Sequence, residues 1–233
     1  TAKWFLEGSS IDGSNLPPFL DFTSARIEFY TQPTALPTVE RGSIKLDLHR
    51  RDFTINTLAL RLDGRHYGEL LDYWCGFADL ERGLVGVLHS LSFVDDPTRM
   101  LRAVRFEQRF GFEIEARSLQ LMDEALPLLE RLSSERIGHE VDLILDEPKA
   151  ANMLSRLHEL KLLQSIHPAL SWDENCRATF ETGLEMQPPA AWGNIPYLRQ
   201  APLRRALGYI FWLSPRPVDK IRQVCSRLRL AAA

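Results

Sequence analysis

The chain is short of paired cysteines, of surplus positive charge and of long apolar runs, and each shortage removes a class of function. Three cysteines in 233 residues (Cys75, Cys176 and Cys225) lie far apart without metal-ligand spacing, and read as unpaired thiols in a reducing cytosol. The six histidines form neither a His-x-x-x-His motif nor a His-Asp pair, so nothing points to a zinc or phosphohydrolase site. Lysine and arginine number 28 against 31 aspartates and glutamates, a formal net charge of -3. No global positive field draws in RNA, and any such binding depends on local clusters. No apolar run approaches a membrane span, and the amino end lacks the charged-then-apolar profile of a secretion signal, which predicts a cytoplasmic protein without a membrane partner. Repeats and low-complexity segments are absent as well.

What is present suits a globular protein of one long or two smaller domains, with 45% hydrophobic and 25% charged residues. Two short runs concentrate arginine and carboxylate. In Asp95-Asp96-Pro97-Thr98-Arg99-Met100-Leu101-Arg102, Asp96 is a good N-cap and Pro97 suits the first helical position. Met100, Leu101 and Val104 then recur at helical spacing, and Gly111 is placed to end the helix as a left-handed cap. Arg99, Arg102, Arg105 and Arg109 share its other face. An aspartate and an arginine at one helix start offer an acceptor and a forked donor, the pair needed to read a base edge; the alternative is a capped surface helix with solvated arginines.

The other run is Arg50-Arg51-Asp52-Phe53-Thr54-Ile55-Asn56. Arginine suits triphosphate oxygens because its planar fork donates two parallel charge-assisted hydrogen bonds. Asp52 could accept from a ribose hydroxyl, and the competing reading is an Arg-Asp surface ion pair. Phe53 to Leu62 reads as a half-buried strand or as a strand leading into a helix. From about Pro97 the pattern is helical. Leu119, Met122, Ala125, Leu126 and Leu129 form one stripe that Pro127 should kink. Ser133 or Ser134 caps a helix carrying Ile137, Val141, Ile144 and Leu145 inward, and Ala151, Leu154, Leu157, Leu160 and Leu163 suggest another.

Taken together and in order, these motifs resemble the head and neck of the class II tRNA nucleotidyltransferases, the family of CCA-adding and A-adding enzymes and bacterial poly(A) polymerases. The likeness runs from about Thr1 to about Pro168. Leu20 to Tyr30 is similar to the family's central strand, Ala35 to Glu40 to the loop after it, and Arg50 to Asn56 to its ribose and triphosphate motif. Gly68-Glu69-Leu70-Leu71-Asp72 through Asp79-Leu80 resembles the flexible hinge motif. Asp95-Asp96 with Arg99 resembles the template that selects the incoming base, and Ser133 to Arg136 with Glu140 resembles the helix start that braces it.

The resemblance implies transfer of AMP or CMP from ATP or CTP to the 3′ end of tRNA, with release of pyrophosphate and a requirement for Mg²⁺. By position, Asp96 and Arg99 would bond the base edge with Asp95 and Arg102 in support, Arg51 would face the triphosphate, and Asp52 the ribose, with Asn56 in the same nucleotide-binding motif. Asp21 falls where a third active-site carboxylate is often placed. The family's Gly-Gly turn and metal-holding Asp-x-Asp strand are expected before Thr1, so no metal ligand is assigned in this chain, which reads as an incomplete form. At Tyr73-Trp74-Cys75-Gly76-Phe77 the family usually has Pro-Phe-Gly-Gly.

The fold class expected is α+β: a partial nucleotidyltransferase-type mixed sheet in a head over 1–92, then an all-α neck over 93–170 and body over 171–233. Arg199, Arg204, Arg205, Lys220, Arg222, Arg227 and Arg229, interleaved with Trp192, Tyr197, Tyr209, Phe211 and Trp212, give the body a basic tilt suited to backbone contacts with the tRNA acceptor arm. Pro188-Pro189 and Pro215-Arg216-Pro217 mark turns. A different class of function is a non-catalytic RNA- or nucleotide-binding module that has lost its metal site and kept the base-reading helix.

Overall fold

Among the described residues every sheet is a two-stranded pair. A computed structural model describes residues 1–6, 10–11, 14–15, 17–29, 38–186 and 202–230. Near the amino end β1 (Ala2–Phe5), β2 (Ser10–Ile11), β3 (Ser14–Asn15) and β4 (Phe19–Phe22) nest as two antiparallel pairs, β2 with β3 inside β1 with β4. β5 (Arg26–Phe29) pairs antiparallel with β6 (Thr38–Arg41), and α1 (Ile44–His49) follows, capped by Ser43. The stretch expected as one central strand is thus divided at Thr23–Ala25. Tyr30 and Ala35–Pro37 lie outside the described residues.

Phe53 to Leu62 does not form the expected strand. Thr54–Asn56 is a 3-10 turn, Phe53 makes an isolated bridge to Val87, and only β7 (Ala59–Leu60) is extended, paired with β8 (Leu70–Leu71). The cause is local. Thr57 Oγ1 donates to the Thr54 carbonyl at 2.6 Å, and the Asn56 and Thr57 N–H groups donate to the Phe53 and Thr54 carbonyls at 3.0 and 2.9 Å, so backbone groups that a ladder would use are spent on a turn.

After α2 (Gly76–Arg82), β9 (Leu84–Val85) pairs in parallel with β10 (Glu113–Ile114), and the crossover between them carries α3 (Ser92–Asp95) and α4 (Thr98–Phe110). Asp96 has extended backbone and Pro97 helical angles, and Asp96 Oδ1 accepts from Thr98 N–H at 3.0 Å, which is the expected cap. Gly111 ends α4 at φ +69°, a conformation that favours glycine. Met100, Leu101 and Val104 are fully buried, as their spacing predicts. On the arginine face Arg99 and Arg105 are buried, Arg102 is half-buried and Arg109 exposed, and Arg102, Arg105 and Arg109 meet carboxylates.

The rest is helical: α5 (Ala116–Ala125), a 3-10 segment Leu126–Arg131 with Pro127 at its start, α6 (Ser134–Leu145) capped by Ser133, α7 (Ala150–Glu159), α8 (Leu162–Ile166), α9 (Glu174–Glu185), α10 (Leu203–Leu213) and α11 (Val218–Leu228). The stripe from Ala151 to Leu163 is broken after Leu160, where Lys161 turns at φ +62°. A single apolar cluster runs from Phe53 and Phe93 through Leu101, Ile144 and Leu154 to Trp212 and Leu228. Two-stranded pairs followed by helices make the class α+β. Pro188-Pro189, Trp192, Tyr197 and Arg199 lie outside the described residues.

Candidate nucleotide-binding cleft

Between the turn that follows α1 and the start of α4 lies a polar cleft of about 410 Å³ lined by Arg50, Arg51, Asp52, Asn56, Asp96, Thr98, Arg99, Arg102 and Glu140. Its arginine pair is set by α1. Asp47, buried on that helix, accepts from Arg50 Nε and Nη2 at 3.1 and 2.9 Å and from Arg51 Nη2 at 3.0 Å, the i,i+3 and i,i+4 neighbours that helical geometry brings to it. The backbone N–H of Arg26 in β5 closes the same carboxylate at 3.0 Å. Burial raises the proton affinity of Asp47, but these bonds outweigh it and hold the carboxyl below the usual aspartate range.

Asp52 is buried and fully engaged. Its Oδ1 accepts from Phe53 N–H at 3.0 Å and Asn56 Nδ2 at 2.8 Å, and its Oδ2 from Arg102 Nε and Nη2 at 2.8 and 2.5 Å. Four donors fill the four acceptor sites of a carboxylate. Burial pushes its pKa up, yet the Arg102 charge and the hydrogen bonds win and the carboxyl is held low. Burial likewise opposes the charge on Arg102, and Asp52 with Glu140 reverses that and raises its pKa.

The turn holding Asp52 is fixed from behind. Thr54 Oγ1 donates to Asp79 Oδ2 of α2 at 2.6 Å, and Asp72 receives Gly76 and Phe77 N–H at 2.8 and 3.0 Å. A Cβ on Gly76 would come within 2.2 Å of the Thr54 carbonyl oxygen. The segment expected as a hinge, with its Tyr73–Phe77 departure, therefore packs directly onto the Arg50–Asn56 run.

On the α4 side, Asp96 Oδ1 receives Thr98 N–H, Thr98 Oγ1 at 2.6 Å and Arg136 Nη2 at 2.6 Å. Its Oδ2 has no hydrogen bond among the described residues. Arg99, 6% exposed, donates from Nη1 to Ser92 Oγ at 2.7 Å and from Nη2 to the Arg50 carbonyl at 2.9 Å; its Nε has no partner among the described residues. Glu140 on α6 faces Arg102 at 3.5 Å and Arg105 at 3.7 Å. Of the pair expected as a brace for Asp95, Asp96 and Arg99, Arg136 contacts Asp96, whereas Glu140 contacts Arg102 and Arg105.

Arg51, Asp52, Asn56, Asp96, Arg99 and Arg102 are thus brought to one cleft. Asp95 is not: it ends α3 outside the cleft lining. Asp21 is not either. It sits on β4, half exposed, with Lys3 4.0 Å away, and shares no surface of the cleft. Arg105 and Arg109, placed by spacing on the basic face of α4, pair with Glu140 and Glu147. Sequence reasoning passed over Asp47 and Ser92. The Asp47 spacing to both arginines was a usable signal, whereas Ser92 reaches Arg99 across a non-helical break that no periodicity reveals.

The basic body residues also find internal partners. Arg204 donates to the Glu147 and Pro148 carbonyls, and Arg205 pairs with Asp142 and Asp146. Arg227 donates to the Leu129, Leu132 and Ile166 carbonyls, and Arg229 pairs with Glu135. A groove of about 420 Å³ beside α7 and α9 equals the cleft in size, but its Lys149, Arg204, Glu181 and Glu185 mix both charges without a nested network. Among the described residues no three His, Cys, Asp or Glu side chains are grouped to hold a metal ion, so the part described does not fit a metal centre. No described helix is long and apolar enough to cross a membrane.

Comparison with known proteins shows which family the chain is similar to. Residues 7–86 match the Poly A polymerase head domain family, and residues 111–173 match the family described as the probable RNA and SrmB-binding site of polymerase A. The A-adding tRNA nucleotidyltransferase of Geobacter sulfurreducens is 39% identical over 214 residues, which is 91% of this chain and 24% of that protein. The A-adding enzyme of Halalkalibacterium halodurans is 43% identical over 170 residues, 71% of this chain and 38% of that protein. Among solved structures, an apo CCA-adding enzyme superposes with a TM-score of 0.77 at 33% identity, over 91% of this chain and 50% of that one. A CCA-adding enzyme in complex with ATP gives 0.67 at 34% identity, over 81% of this chain and 45% of that one. The chain spans about a quarter to two-fifths of these two sequence relatives.

Proposed function

We propose, for a chain that belongs to the class II tRNA nucleotidyltransferase and poly(A) polymerase family, that it is the nucleotide-gripping and base-selecting part of an enzyme adding nucleotides to the 3′ end of tRNA. In that reaction the terminal 3′ oxygen of the tRNA attacks the α-phosphorus of ATP or CTP, and pyrophosphate leaves. The residues described here bind and orient. Arg51 faces the triphosphate, with Asp47 holding its guanidinium and that of Arg50. Asp52 holds Asn56 and Arg102 in place at the ribose end, and a ribose hydroxyl reaches Asp52 by sharing or displacing one of its four donors. Asp96 Oδ2 and Arg99 Nε read the base edge, with Arg102 in support. The divalent ion expected for this reaction, Mg²⁺, has no ligand set among the described residues.

One observation carries the reading. An unspent carboxylate oxygen and an unspent guanidinium nitrogen, on residues three apart at a helix start, line the same cleft as Arg51, Asp52 and Asn56. An acceptor and a donor held by buried partners are what hydrogen-bonded selection of a base requires.

The test uses the full-length gene product with a tRNA lacking its terminal CCA and each of the four triphosphates in Mg²⁺. Incorporation of ATP, alone or with CTP, and exclusion of GTP and UTP is the expected result. Tight ATP binding without any incorporation would instead assign the protein to the non-catalytic nucleotide-binding class.

A further inference from the structure

The guanidinium of Arg99 has two edges, and the protein consumes one of them. Nη1 is held by the hydroxyl of Ser92, a residue with no exposed surface, at 2.7 Å, with the Ser92 carbonyl a longer 3.5 Å away, and Nη2 is held by the backbone carbonyl of Arg50. These bonds occupy the two terminal nitrogens and leave Nε, which has no hydrogen bond among the described residues, for whatever enters the cleft. Both holders are themselves fixed. Ser92 opens α3, where its N–H donates to the His89 carbonyl at 3.1 Å and its carbonyl receives Asp96 N–H at 3.2 Å. The carbonyl of Arg50 follows α1, whose Asp47 grips the Arg50 side chain.

We infer that Ser92 is a specificity-determining positioning residue: its buried hydroxyl fixes which edge of the Arg99 guanidinium the incoming base meets. A guanidinium free to rotate about its last torsions could meet different base edges with different faces, and discrimination would fall. Ser92 touches no nucleotide in this account and acts only through Arg99. The link to the Arg50 carbonyl adds a consequence, since rotation of Arg99 would also loosen the backbone beside Arg51, where the triphosphate is gripped. This inference rests on the base-reading role proposed above.

The experiment compares the full-length wild type with Ser92→Ala, Ser92→Thr, Arg99→Lys and the Ser92→Ala/Arg99→Lys double variant. Two quantities are read for each of the four triphosphates: the dissociation constant by calorimetry and kcat/KM for incorporation into tRNA. Ser92→Ala is expected to reduce the ratio between preferred and rejected nucleotides about tenfold, and Ser92→Thr to restore most of it because the hydroxyl remains. Lysine has no second edge to orient. In the Arg99→Lys background, Ser92→Ala is therefore expected to leave the ratio unchanged.

An equal loss of kcat/KM for all four nucleotides with a lowered Tm would reduce Ser92 to a packing residue and overturn the inference. A ratio that falls as much in the Arg99→Lys background as in the wild type would also overturn it. The two levels of the argument fail differently. Wild type that binds nucleotides selectively but incorporates none removes the transferase reading, while the binding ratio still decides on Ser92. Wild type that binds all four alike removes both.

Discussion

Asp52 has no acceptor site to spare, which makes its carboxylate the most pH-exposed joint of the cleft. Its folded pKa lies below the ordinary aspartate value, so in the range just below about pH 4 the unfolded chain takes up a proton that the folded chain refuses. The stabilisation is therefore complete above that range and is lost as pH falls through the folded pKa. Asp52→Asn removes it at every pH. Urea unfolding should show the variant less stable by about 3 kcal/mol at pH 7, with the gap closing below pH 4. A gap that stays constant down to pH 2 would mean that the Arg102 pairing contributes nothing. At this scale the sequence was legible where one helix turn joins partners, as with Asp47 and the two arginines. Spacing was opaque where partners lie some 50 residues apart, as with Arg102 and Asp52, and the Arg136–Asp96 contact was expected only through the family resemblance. For the same reason the internal carboxylate and carbonyl partners of the α4 and body arginines could not be named, because spacing shows which residues share a face and not what that face meets.

At the scale of elements, α4 was readable from end to end because every local signal agreed: the Asp96 cap, Pro97 inside it, the apolar spacing and the Gly111 stop. Phe53 to Leu62 misled because its β-branched and aromatic composition competes with threonine hydroxyls that bond to the backbone, and composition alone does not say which wins. The packing of α2 on the Thr54–Asn56 turn gives a prediction. Gly76→Ala puts a methyl against the Thr54 carbonyl oxygen, where backbone cannot yield cheaply, and should cost roughly 1–3 kcal/mol. It should also raise KM for the nucleotide in the full-length enzyme, since Asp52 and Asn56 ride on that turn. An unchanged KM alongside the lost stability would show that α2 supports the head without positioning the site.

For the molecule as a whole, the α+β order of strands then helices and the continuous apolar core were legible, while the breakdown of the sheet into two-stranded pairs was not, because register depends on partners that periodicity does not name. The chain joins two surfaces that separate elements supply: an arginine pair anchored by α1, and an acceptor and donor presented at the start of α4 and braced by α6. Their meeting in one cleft is the central claim. The most direct measurement of it is the four-nucleotide selectivity of the full-length protein carrying Asp96→Asn. Asparagine keeps the helix cap and nearly the same shape while exchanging a carboxylate oxygen for an amide donor. The account predicts a stable protein whose preference among the four triphosphates shifts or flattens by about tenfold or more, with binding of the bare triphosphate unchanged. Selectivity identical to wild type, in a variant of equal stability, would contradict it.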